Sequence, residues 1–67
     1  MNNNQDIEEI KVWNLQGQEH VFDNIIDYDI EGYLLIVLWR NEGHDIETAF
    51  NIDRIESYAI KYGEKLE

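Results

Sequence analysis

The chain reads as a small all-β domain. Apolar and polar residues alternate with period two through most of residues 7–60. Residues 33–39, Tyr-Leu-Leu-Ile-Val-Leu-Trp, are apolar without interruption, the length of a strand in a core. Short breaks rich in Gly, Asn and Asp separate the alternating runs, as turns do between strands.

Taken in order, residues 1–6 form a polar tail. Ile10 and Val12 alternate with Lys11 and Trp13 in a first strand over residues 8–15, and Gln16-Gly17 makes a turn. His20 and Phe22 alternate with Glu19 and Val21 in a short second strand that Asp23-Asn24 breaks. In the third, Ile26, Tyr28 and Ile30 point to the core, while Asp27, Asp29 and Glu31 point to water. Glu31-Gly32 connects to residues 33–39, whose two apolar faces predict a strand covered on both sides at the centre of the fold. Asn41-Glu42-Gly43-His44 is a second hairpin loop. Ile46, Thr48, Phe50 and Ile52 then alternate with Asp45, Glu47, Ala49 and Asn51. The last segment has two readings. Asp53-x-x-Glu56 fits a capping box, with Ile55, Ala59 and Tyr62 at helical spacing and Gly63 as C-cap, which gives a short C-terminal helix. The density of β-formers in residues 55–60 favours a sixth strand after a short Asp53-Arg54 turn.

Five or six strands in nearly sequential order make a small antiparallel meander, rolled into a half-open barrel of the SH3-like or Sm-like sort. Sixty-seven residues allow a single domain, spanning residues 7–62 with a flexible end at 63–67. A chain of this size buries only roughly 60% of its unfolded surface. With no Cys, neither a disulfide nor a thiolate-bound metal reinforces it. With no Pro, protection of strand edges falls to charge.

Charge is the chain's other conspicuous property. Fifteen carboxylates oppose five bases, for a net charge of −10. Residues 19–56 hold most of the excess, with ten carboxylates against Arg40 and Arg54. Like charge concentrated on a small domain costs stability through self-repulsion. It also disfavours direct binding to nucleic acid or to anionic membrane. A basic protein partner is the complementary expectation. The first residues lack the basic start and apolar stretch of a secretory signal, and no apolar run approaches membrane-spanning length, so the expected location is cytoplasmic.

Several residue groupings could in principle carry chemistry. Asp27-x-Asp29-x-Glu31-Gly32 matches the first half of an EF-hand loop, but Leu38 stands where the bidentate Glu belongs, and alternate strand residues do not converge on an ion. His20 and His44 lack metal-ligand spacing, so no metal or other cofactor is expected. Ser57 stands in no nucleophile motif, and no Gly-rich phosphate loop is present, so the reading is non-enzymatic. Trp39 and Phe50 read as core, whereas Trp13 reads equally as core or as an exposed partner contact.

The acidic strand remains. Asp27, Asp29 and Glu31 form a straight row about 6.5–7 Å apart, a spacing that resembles the phosphates of an extended nucleic-acid strand. Glu42, Asp45 and Glu47 are expected to continue it. The partner-binding set is therefore Asp27, Asp29, Glu31, Glu42, Asp45, Glu47 and Trp13, set against the groove of a basic, nucleic-acid-binding protein. Small size and acidity suggest, by analogy, an inhibitor carried by a phage or mobile element. The competing expectation is an assembly subunit that pairs with a second copy through a strand edge, as a homodimer or larger array, with acidity serving solubility alone.

Overall fold

A computed structural model describes residues 6–63. The tails expected at 1–6 and 63–67 lie outside the described residues except for Asp6 and Gly63, where the Gly63 N–H donates to the Asp6 carbonyl at 2.7 Å. The chain forms β1 (Ile7–Asn14), β2 (Glu19–Phe22), β3 (Ile25–Glu31), β4 (Leu34–Asn41), β5 (His44–Asn51), a single 3-10 turn (Ile52–Arg54) and β6 (Ile55–Tyr62). These strands make two antiparallel three-stranded sheets, ordered β2-β1-β6 and β3-β4-β5. The fold is all-β. No helix among the described residues is long and apolar enough to cross a membrane.

The second sheet is the sequential meander that the alternation predicts. The first sheet is not sequential, because β6 returns to lie beside β1. The last segment is a strand rather than a helix. Asn51, not Asp53, caps the turn before it, its Oδ1 accepting the Asp53 N–H at 2.9 Å. Asp53-Arg54 then belongs to a tight turn, and the capping-box reading fails.

β1 and β4 are the central strands, and each supplies two fully buried side chains: Ile10 and Val12 from one, Leu35 and Val37 from the other. Ile7, Phe22, Ile25, Tyr28, Trp39 and Phe50 pack around this cluster. Phe22 reaches across from β2 and meets Trp39 and Phe50 edge-on, with ring centroids 5.3 and 5.8 Å apart. Such edge-to-face pairs add about 0.5–1.5 kcal/mol to simple burial. The Trp39 indole N–H donates to Thr48 Oγ1 at 3.0 Å, which accounts for a polar residue in an otherwise apolar column of β5.

β2 and β3 are separated only by Asp23 and Asn24, and the chain turns there with Asn24 at φ 53°. The Asn24 carbonyl accepts the Arg40 N–H at 3.0 Å, so the corner is fastened to the end of β4. Directly after it, the β3–β4 register shifts between Ile25 and Asp27. This bulge corrects one expectation: Ile25 packs on the core, and Ile26, expected inside, is 43% exposed. Two consecutive isoleucines offered either parity, and the corner selects the first.

Both hairpins of the second sheet have two-residue loops. Gly32, at φ 60°, leads the β3–β4 turn, and Glu42-Gly43, at φ 53° and 81°, form the β4–β5 turn. Positive φ at both central positions is the type I′ arrangement, whose twist suits a hairpin.

The two sheets are also tied at their open seam. The hydroxyls of Tyr28 on β3 and Tyr62 on β6 lie 2.9 Å apart. That hydrogen bond is the main cause, with partial burial and nearby charge added, that pushes the Tyr28 pKa up to about 12. The folded protein therefore holds this proton after the unfolded chain, with its ordinary tyrosine value of about 10, has lost it. The resulting stabilisation is complete below about pH 10 and is lost as pH rises toward about 12. Absorbance titration of phenolate should accordingly show one late tyrosine, and Tyr62→Phe should return that step toward the ordinary value and flatten the alkaline loss of stability. An unchanged late step in Tyr62→Phe would remove the bridge as its cause.

Candidate interaction face

Alternation along β3, β4 and β5 gives the second sheet an inner face on the core and an outer face. The register places Asp27 opposite Leu38, Asp29 opposite Ile36 and Glu31 opposite Leu34. It also places Glu47 opposite Leu38, Ala49 opposite Ile36 and Asp45 opposite Arg40. The outer face is thus three parallel columns. β3 carries Asp27, Asp29 and Glu31; β4 carries Leu34, Ile36, Leu38 and Arg40; β5 carries Asp45, Glu47 and Ala49.

This arrangement refines the expected acidic row and corrects the expected cover over β4. Asp45 and Glu47 do share the face of Asp27, Asp29 and Glu31. They form a second row, two strand spacings or about 9.5 Å away, rather than an extension of the first. The apolar stripe between the rows is not covered on both sides as its composition suggested. Leu34 is 39% exposed, and Ile36 and Leu38 are only partly buried. A shallow hollow of about 140 Å³ lies over it, bounded by Asp27, Asp29, Ile36, Leu38 and Glu47. A wider hollow of about 540 Å³ lies in the seam between the sheets, where Asp6 and Asp27 flank the Tyr28–Tyr62 pair.

The charge is segregated by sheet. On the outer face of the second sheet, five carboxylates stand against Arg40, and Arg40 is held by Asp45 through a 2.8 Å bond from Nε to Oδ1. That bond first, and the carboxylate's charge second, raise the guanidinium pKa above its ordinary value. The outer face of the first sheet is nearer to balance, with two lysines against three glutamates. Lys11 lies 4.0 Å from Glu9 and 3.7 Å from Glu19, and Lys61 lies 3.6 Å from Glu8.

Asp27 and Asp29 are oriented by their own backbone. Asp27 Oδ1 accepts the N–H of Tyr28 at 2.8 Å, and Asp29 Oδ1 accepts the N–H of Ile30 at 2.9 Å. In this hairpin the pair flanking the two-residue loop, Glu31 and Leu34, is hydrogen-bonded, so the N–H groups of Tyr28 and Ile30 point away from β4. Each aspartate therefore contributes charge to the face and satisfies a free-edge donor. That is a specific form of the edge protection by charge expected of a Pro-free chain.

Two expected site residues are not brought to this face. Trp13 is half-buried on the outer face of the first sheet, between Glu19 and Ser57. Glu42 occupies the first central position of the β4–β5 turn rather than a strand. Its left-handed conformation is unfavourable for an L-residue with a long side chain, whereas Asn tolerates it. Glu42→Asn should therefore raise stability by about 1 kcal/mol in chemical denaturation and leave the acidic columns untouched; a loss of stability would contradict the turn assignment. Comparison with protein-family models, curated proteins and solved structures finds no match to this chain.

Proposed function

We propose that this domain is a non-enzymatic protein-interaction module whose second sheet docks on a basic protein surface, of the kind that binds nucleic acid. The observation that carries the reading is the sorting of charge. A sheet face with five carboxylates, one held by the single base of that face, contrasts with the other sheet, where two lysines pair with three glutamates. Solubility alone requires mixed surface charge, as the first sheet has, and gives no reason to unbalance one face.

The face also has the form of an interface. Its middle is apolar and its margins are charged, the usual order of a buried centre and a polar rim. Asp27, Asp29 and Glu31 repeat along a rigid strand, so the partner meets charge at fixed intervals without first ordering a flexible segment. Occupation of a nucleic-acid groove by such a surface amounts to inhibition by competition, the role a phage or mobile-element inhibitor would need. Within this reading the domain works in the cytoplasm, where a chain without Cys needs no oxidising compartment.

The test is capture on immobilised protein at low salt, elution by a salt step and identification of what is released. Basic nucleic-acid-binding proteins are expected in the eluate. The combined variant Asp27→Asn, Asp29→Asn, Glu31→Gln should cut their recovery tenfold or more. Its fold should persist with equal or higher stability, since Asn Oδ1 still accepts the N–H that each aspartate now satisfies. Equal recovery by the variant, or an eluate without basic proteins, would overturn the reading.

A further inference from the structure

The two edges of the second sheet differ. On β3 the outward N–H groups of Tyr28 and Ile30 are taken by Asp27 and Asp29, and the strand begins with a bulge. On β5 the pair flanking the type I′ loop, Asn41 and His44, is hydrogen-bonded, so alternation turns the N–H groups of Asp45, Glu47 and Ala49 away from β4. None of these three donates to another group among the described residues. β5 pairs with β4 over its whole length without a register shift, and all three residues are exposed. A regular strand with unpaired donors at every second residue is a template for another strand.

We propose that the free edge of β5 accepts an extended segment of the basic partner as a fourth strand of the second sheet. This deepens the reading above, on which the choice of a basic partner rests. Charge complementarity selects the occupant. Asp45 is already bound to Arg40 on its β4 side, which leaves Glu47 to pair with an incoming Lys or Arg directly across the new ladder. On the other face of the added strand, apolar residues would extend the cover over Ile46 and Phe50, both only partly buried. A second copy of this chain is disfavoured, since joining two such sheets would double the carboxylates on a face whose base is already used.

The probe is a synthetic peptide of alternating Lys and Val, with a second version N-methylated on the edge that would pair. Amide hydrogen exchange, read residue by residue, should slow tenfold or more at Asp45, Glu47 and Ala49 when the peptide is bound, with Tyr28 and Ile30 unchanged. The N-methylated peptide should bind at least tenfold more weakly. Ala49→Pro, which removes an N–H that the hairpin does not use, should do the same to the unmodified peptide. The variant Asp27→Asn, Asp29→Asn, Glu31→Gln should weaken binding while leaving the β5 protection pattern in place, which separates a failure of the acidic face from a failure of the edge. The proposal is overturned if the peptide does not bind, if it binds without protecting those three amides, or if the N-methylated form binds equally well. It is likewise overturned if protection grows with protein concentration in the absence of peptide.

Discussion

Ile10 and Val12 from one sheet meet Leu35 and Val37 from the other, and these are the fully buried side chains of the domain. Much else follows from so thin a core. β1 and β4 have to be central, since only a strand flanked on both sides can bury its inner residues completely. β6 has to return to β1, because β2 alone, four residues long, cannot screen it. β2 and β3 run almost continuously round the Asp23-Asn24 corner, which brings Phe22 over Trp39 and Phe50 and closes that side with aromatic rings. On the other side the Tyr28–Tyr62 hydrogen bond ties the two sheets beside the half-buried Ile7 and Ile25.

The same economy governs the surface. A domain with little core has little stability to lose to repulsion, yet its charge is not dispersed. The first sheet pairs Lys11 and Lys61 with glutamates, and the second leaves its carboxylates unopposed except at Arg40. Asp27 and Asp29 show how this is made compatible with folding. Each is held by a backbone N–H one residue on, so its negative charge is partly met by a local dipole.

Much of this was legible in the sequence, because period two is unambiguous wherever one face is apolar and the other charged. The β3 aspartates, the β5 alternation and both hairpin loops lie where the pattern puts them. Three features were not legible, each for a definite reason. Ile25 and Ile26 are equivalent to a periodicity argument, and only the corner before them decides which enters the core. An apolar outer column on β4 signals a covered strand, but composition does not say whether the cover comes from this chain or another. Pairing partners of separate strands are a matter of topology, so neither the distance between the two acidic rows nor the placement of Trp13 on the opposite sheet follows from local spacing.

Salt acts in opposite senses on the two consequences of this charge. Screening the carboxylates of the second sheet relieves repulsion in the folded state, so the isolated domain gains stability as ionic strength rises from low values. The same screening weakens attraction to a basic partner and slows association. A solubility role gives no reason for a salt-sensitive partner, and association through apolar contact alone gives no reason for salt to stabilise the free domain. Denaturation midpoints that rise with salt while partner affinity falls are the joint outcome required of a face whose charge is kept for binding at the expense of folding. Midpoints that stay flat would place the carboxylates too far apart to repel, and the stability argument for their function would then fail.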